Sequence, residues 1–475
     1  MKQRFKKMLS IGLAITIAGT LAVGCGSNTG QKENTGNAGD AGSAGDISDS
    51  GEVTENTESA AVTEEESWDE PVTLTYWAFN NVEEAIRRFE GQWNEQNPDR
   101  PIVVDLQVYP FEDMHSKLLI ALNSGQGAPD MAEIEIGKIG NFLKGTEDEI
   151  MLEPIDDLVE KYKDELLMSK FENYAAAGHY YGVDGQVGAA VAYYNPELLE
   201  SAGIDYHDIK TYEDVENYGK ILKEKTGKPF IMWDVSDVWA LYTLITQAGG
   251  DWFDADGNVV MDSEINIKTV TWMQNLLKEG IAIVAPGGAN CSEEGYAYFG
   301  GGNCGAVYHP LWWGGFLKQS VSDIQGKFRI STLPMWSEDG YTSTGMGGTC
   351  HCVLKTSDKT ELAKEFLEFT YMTYESNLYY GSQGMTDPLR PDVYEELSKS
   401  ENSVPMEYYG EDFYDVVNRA LASMPGLHIT SGYAQATDIV KQTMCYRLFS
   451  ELEDPATVMK ECADELRSVM ASQEE

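Results

Sequence analysis

From residue 72 onward the chain alternates between two periodicities, and that alternation narrows its architecture more than any other feature. VTLTYWAF, residues 72–79, has the β-branched and aromatic residues of a strand in a period-two pattern. Val82, Ile86, Phe89 and Trp93 then recur at helical spacing, closed by the breaker-rich NEQNPDRP. IVVDLQVY predicts a second strand, FEDMHSKLLIALNSGQG a second helix ending at glycine, and APDMAEIEI a third strand. Strands that take turns with helices build an α/β domain around a largely parallel sheet. A second α/β block starts at GAAVAYYNPELLESAGID.

Residues 1–24 stand apart from this pattern. Lys2, Arg4, Lys6 and Lys7 precede an apolar run from Met8 to Val23, the layout of a secretory signal peptide. The run is too short, and too rich in Gly and Thr, for a membrane span of roughly 20 apolar residues. It closes on LAVGC, which resembles the bacterial lipoprotein signal, with Ala22 where leucine is usual. On that resemblance Cys25 is acylated and anchors the chain to a membrane without crossing it; an ordinary cleaved signal is the alternative. Residues 25–70 are rich in Gly, Ser, Asn, Thr, Asp and Glu. So few apolar groups cannot offset the entropy of ordering, which predicts a disordered acidic tether.

The remaining 450 or so residues suggest two or three domains. The net charge of −44, from 34 basic and 78 acidic residues, opposes binding to phosphate backbones and disfavours nucleic acid. Setting Cys25 aside, six cysteines allow up to three disulfides outside the cell, or free thiols. DWFDADGNVVMD places Gly257 fourth in what would otherwise read as a calcium loop, where glycine is needed sixth, and predicts a hairpin turn at Asp256-Gly257-Asn258. Near the end, Asp454 caps a helix with Pro455 at its first position. Cys445 and Cys462 flank that turn at similar distances, so a disulfide between them is one of two open readings.

The ordered set VTLTYWAF, FEGQWNEQNPDRPIVV, LLIALNSGQGAPDMAEIEI, AYYNPELLESAGID, TYEDVENYGKILKEKTGKP, AGGDWFDADGNVVMDSE and TGMGGTCHCVLKTSDKTELAKEFLEFTY spans most of residues 71–385. It resembles the family-1 extracellular solute-binding proteins of carbohydrate ABC importers, which are related to maltose-binding protein. IEIGKIGNFLKG and IAIVAPGGANCSEEGYAYF look most like members that bind arabinose-containing oligosaccharides. The resemblance implies a two-lobed α/β fold of the type II periplasmic-binding-protein kind, with the ligand in the cleft between lobes that close like a hinge. Residues 71–185 and 335–365 would form one lobe; residues 186–334 and 366–475 would form the other.

A sugar offers polar hydroxyls at its edge and C–H faces, so its site needs aromatic plates beside amides and carboxylates. Trp77 and Asn80 end the first strand, where the family faces its cleft; core packing is the other reading of Trp77. Glu133 and Glu135 share a strand face by period two and are candidates to bond hydroxyls. Asp184 and Gln186 fall at the implied lobe crossing, where a plain hinge loop competes. Asp237 and Trp239 precede an apolar helix from which the family draws second-lobe contacts. GAVYHPLWW, with His309, Trp312 and Trp313, reproduces the setting of the family's stacking tryptophan. Adjacent residues of extended chain point to opposite sides, so one ring is expected to stack and the other to pack, with Trp312 the stacking one. Met346 and Gly347, in a glycine-rich stretch without the Lys-Ser/Thr ending of a phosphate loop, are expected to line the cleft. Cys350 and Cys352 fall on one strand face and His351 on the other, against a shared metal.

No cofactor or metal is expected, and no catalysis. The implied partners are a soluble oligosaccharide, the permease subunits of an importer, and a membrane reached through Cys25, on the extracellular face of the cell, with the chain a monomer. The rivals are a secreted glycoside hydrolase, with paired carboxylates about 5–10 Å apart, and a peptide receptor of the same architecture. Neither Gly-x-Ser-x-Gly nor His-Glu-x-x-His occurs.

Overall fold

The computed structural model describes residues 68, 70–384 and 386–472. The signal segment, Cys25 and the tether up to residue 67 lie outside the described residues. Trp68, assigned above to the tether, belongs to the body: its N–H donates to the Asp99 carbonyl at 2.8 Å, and the Arg100 guanidinium lies 5.1 Å from its ring.

The first predicted strands all form. Val72–Ala78 pairs in parallel with Ile102–Val108 on one side and with Met131–Glu135 on the other. The sheet then gains Thr349–Val353, antiparallel to Met131–Glu135, and the two-residue Val183–Asp184 at its edge. Alternation sends Leu74, Tyr76, Val104 and Met131 to one side, against Ile86, Phe89 and Trp93 of helix Glu83–Gln96. Trp77, Ala132 and Ile134 face the other side, against Met114 and Leu118 of helix Phe111–Ser124.

The helix Thr360–Tyr371 buries Leu362, Ala363, Phe366 and Leu367 in the first of these cores, beside Trp93. The expected lobe boundary at residues 365 and 366 therefore falls inside one helix, whose apolar face belongs wholly to the first sheet.

The second block is less parallel than its helix–strand alternation predicts. Ala306–Pro310 and Arg329–Ser331 both run antiparallel to the central Ala190–Tyr194. Ile231–Trp233 and Ala282–Val284 form a parallel pair. Ala190, Ala192 and Tyr194 face a core completed by the C-terminal helices, while Val191 and Tyr193 face one holding Trp313, Phe299 and Phe413.

Local signals hold where side chains meet backbone. Thr211 and Asp214 form a reciprocal capping box at the start of helix Tyr212–Thr226. Thr211→Ala is expected to cost about 1 kcal/mol, read as a lower midpoint in urea with an unchanged slope. Asp454 accepts from the Thr457 N–H at 3.0 Å, with Pro455 opening helix Pro455–Ala471. The Asp254–Asn258 turn closes on itself: the Asp254 carboxylate accepts from the Asp256 and Asn258 N–H groups, and Phe253 pairs with Val259.

The six described cysteines are free thiols. The Cys445–Cys462 disulfide is not formed; Cys445 instead donates to the Asp237 carbonyl at 3.2 Å. Cys350 and Cys352 are buried on one face of their strand. On the other face, His351 stacks on Tyr371 at 3.8 Å and hydrogen-bonds the Tyr76 hydroxyl at 2.7 Å.

Candidate functional site

Three stretches meet between the five-stranded and three-stranded sheets: residues 184–190, 343–349 and 386–390. Asp184 ties the first two together. One carboxylate oxygen takes the Tyr174 hydroxyl at 2.8 Å and lies 2.9 Å from the Lys170 ammonium. The other accepts from the Thr349 N–H at 3.0 Å and, more weakly, from Gln186. Lys170 also donates to the Val187 carbonyl at 3.0 Å. Asp387 binds the third stretch to the first, accepting from the Gly188 and Ala189 N–H groups at 2.9 and 2.6 Å. Asp184 is thus a strut at the crossing, its acceptor capacity filled by protein, and not a free ligand contact. Gln186 remains half-buried beside it, with its side-chain oxygen unpartnered.

The glycine-rich stretch bends over this strut. Met346 is fully buried and donates its N–H to the Gly188 carbonyl at 2.7 Å, so it belongs to the core. Gly347 has a left-handed φ of 75° and lies beside two indoles: a Cβ there would sit 3.2 Å from Trp312 Nε1 and 3.9 Å from Trp239. Only glycine fits both conditions without strain.

Trp239 opens the apolar helix Trp239–Gln247, and Trp312 is the second residue of helix Leu311–Ser320. Both are half-buried, and their rings meet edge to face at 5.2 Å. Trp313 is fully buried, among Tyr193, Tyr296 and Phe299, and donates its indole N–H to the Asn290 carbonyl at 3.0 Å. One ring is half-buried and the other fully buried, but not for the reason strand alternation would give. The pair lies on a helix, where successive side chains turn about 100° and do not oppose each other. His309 is also fully buried, between these rings, with Nε2 3.5 Å from Cys291 Sγ. Burial holds its pKa well below the usual histidine range, so it is neutral packing.

Across the crossing, Glu135 is half-buried at its strand end and accepts from the Gly137 N–H at 2.7 Å. Burial pushes its carboxyl up to about 7, with Lys138 and Lys441 pulling back and Asp237 adding to the rise. Asp237 is likewise half-buried, 3.6 Å from Lys441 Nζ. Glu135, Asp237 and Lys441 thus lie within electrostatic reach of one another, and Asp237 also accepts from the Trp239 side chain. Lys441 stands in a π-helical turn, Val440–Met444, which no pattern in the sequence marked.

The other candidates turn inward. Trp77 is 5% exposed, packed on Tyr109 at 5.4 Å and under the Lys117 ammonium, so it is core and not a cleft plate. Glu133 is fully buried; one oxygen accepts from the Phe79 and Asn80 N–H groups at 3.0 Å and fixes the turn after the first strand. The Asn80 side chain reaches Thr349 Oγ1 at 3.5 Å. Asp234, passed over for its neighbour Asp237, accepts from Ala240 and Asn290 and anchors the helix that carries Trp239. Its signal, an acid six residues before a helical position, is common to many loops.

Burial raises the Glu133 carboxyl to about 7, against the pull of the Asn80 and Phe79 N–H groups. The folded chain then holds a proton that the unfolded chain releases near 4.5, the ordinary glutamate value. Its contribution to stability is complete below that pH and is lost as pH rises to about 7. Glu133→Gln keeps an acceptor for both N–H groups and is expected to flatten the fall in melting temperature between about pH 5 and 7.

Comparison with known proteins agrees with this layout. The model of the family described as bacterial extracellular solute-binding protein matches residues 62–371. An arabinooligosaccharide-binding protein of Bacillus subtilis (strain 168) is 33% identical over 398 residues, covering 83% of this chain and 92% of its own length. A protein of the same name from Halalkalibacterium halodurans is 36% identical over 348 residues, covering 72% and 77%. Among solved structures, the ABC transporter associated binding protein from B. animalis subsp. lactis, in complex with beta-1,6-galactobiose, matches with a TM-score of 0.70 at 19% identity, over 85% of this chain and 98% of that one. At that identity the likeness speaks for the fold, a two-lobed α/β body of the type II kind. With the family model extending across both sheets and relatives matching along most of their length, the chain belongs to the bacterial extracellular solute-binding proteins.

Proposed function

We propose that the chain is an oligosaccharide receptor that delivers its ligand to the permease subunits of an ABC importer. The observation that carries this reading is the half-buried Trp239–Trp312 pair against the glycine backbone at residue 347. Indole faces accept the C–H faces of a sugar, and glycine lets the ligand approach the main chain. Glu135, Asp237 and the free Gln186 side-chain oxygen supply acceptors for hydroxyls, and Lys441 a donor. Closure follows from better ligand contacts in the closed state. The names of the two relatives favour arabinose-containing oligosaccharides.

Calorimetry with arabino-, xylo-, malto- and galacto-oligosaccharides tests the reading. Binding is expected for the arabino series, with the recovered sugar unchanged in length. Failure of every sugar, together with tight binding of a peptide, would sink it; shortened products would instead point to a hydrolase.

The receptor would act outside the cell, as a monomer tethered through lipid on Cys25. Cys25→Ser is expected to move the chain from the membrane fraction into the medium, and labelled palmitate is expected to follow the wild-type chain alone. Equal membrane retention of both would exclude that anchor.

A further inference from the structure

The aromatic line at the crossing does not stop at Trp312. Phe316 lies four residues further along the same helix, and its ring is 6.0 Å from that of Trp312 at an interplanar angle of 82°. Positions four apart share a helix face, one turn or about 5.4 Å on. Exposure is greatest at the end of this line. Gly347 sits against both indoles, Trp239 and Trp312 are half-buried, and Phe316 is 41% exposed. The next residue inward, Leu317, is fully buried, so the helix keeps an ordinary apolar face for its core and presents Phe316 away from it. Phenylalanine at that place gives a plate with no hydroxyl or N–H of its own to satisfy. A sugar ring lying on it gains contact without displacing a hydrogen bond.

We propose that Phe316 is an outer subsite of the receptor, taking the sugar residue beyond the one held at Trp312, so that the chain selects oligosaccharides long enough to project from the hinge. This rests on the receptor reading above and adds to it a length preference and the residue that sets it. The occupant follows from continuity: the exposed ring touches the candidate sugar plate, and one helical turn is comparable to the step from one ring to the next in a sugar chain. A plate without polar groups reads length and tolerates different linkages. The competing role, a buttress that merely holds the Trp312 indole in place, predicts a different pattern of loss.

The test is calorimetry of the full chain with linear arabino-oligosaccharides of two, three, four and five residues, and with the malto series in parallel. Affinity of the wild-type chain is expected to climb with length. Phe316→Ala is expected to lower affinity for the longer ligands by about fivefold to tenfold and to leave the disaccharide unchanged. Phe316→Tyr, which keeps the ring, is expected to restore the climb. An equal loss at every length would make Phe316 a buttress and overturn the subsite, as would no loss at any length; in both cases sugar binding itself would stand. Absence of wild-type binding to both series would overturn the subsite, and failure of the xylo and galacto series as well, with tight binding of a peptide, would overturn the receptor reading with it.

Discussion

Trp312→Ala is expected to weaken oligosaccharide binding about thirtyfold or more while changing the melting temperature little, and Trp313→Ala to do the reverse. The two rings are neighbours in sequence but sit in different surroundings. Trp312 is half-buried against Trp239 and the Gly347 backbone, so its loss removes the plate on which the proposed site is built. Truncating such an anchor typically costs about 2 kcal/mol or more, which is about thirtyfold in affinity. Trp313 has no exposed surface and fills a pocket among Tyr193, Tyr296, Phe299 and His309. Its removal leaves a cavity and an unpaired Asn290 carbonyl, at a cost of about 3–5 kcal/mol. Denaturant midpoints and calorimetry on both variants decide the matter. Equal effects on binding and stability in the two would show that the rings are not divided in this way.

Asp184→Asn is expected to destabilise the body by about 3 kcal/mol, because it leaves the Lys170 ammonium buried without its counter-charge. The Asp184 side chain has no exposed surface and that of Lys170 only 10%. The amide keeps the shape and one acceptor oxygen, so the loss reports the charge pair and not a void. The strut joins Asp184 to residues 170, 174 and 349 and so ties the stretch 184–190 to 343–349. Its weakening should therefore also appear as faster hydrogen exchange at 185–188 and 345–349, while the distant strand at Ile102–Val108 keeps its protection. A loss below about 1 kcal/mol would assign the anchoring to the Asp387 contacts instead.

Local chemistry was legible from the residues alone. The strand at 72–78, the helices that follow, the Asp454 cap and the opposed faces of Cys350, His351 and Cys352 all follow from patterns a few residues long. What was not legible depends on partners far away in the chain. Trp77 reads as a cleft residue because it ends a strand; only the arrival of Tyr109 and Lys117 covers it. Glu133 reads as a ligand acceptor because it shares a strand face with Glu135, and Asp184 because it falls at the implied lobe crossing. One oxygen of each is filled by the N–H groups of Phe79 and Asn80 or of Thr349, up to 165 positions away. Lys170 and Lys441 carry no local signature, since a lysine on a surface helix and a lysine beside a buried acid look alike in sequence. Phe316 was readable in principle, four residues after Trp312, once the pair is placed on a helix and not on a strand.

The late strand Thr349–Val353 has a consequence for how the chain comes into being. It pairs with Met131–Glu135 and Val183–Asp184, which are made long before it. Until residue 353 has left the ribosome, the first sheet lacks its fourth strand and the edge at Met131–Glu135 offers unpaired N–H and C=O groups to any passing strand. Pairings across so many residues form slowly, because the intervening loop must be closed before the contact rewards it. Neither lobe is then complete while synthesis continues, and the nascent chain stays extensible for most of that time. Delay of this kind suits a polypeptide that has to be threaded before it folds, and it makes early truncations of this chain prone to aggregate.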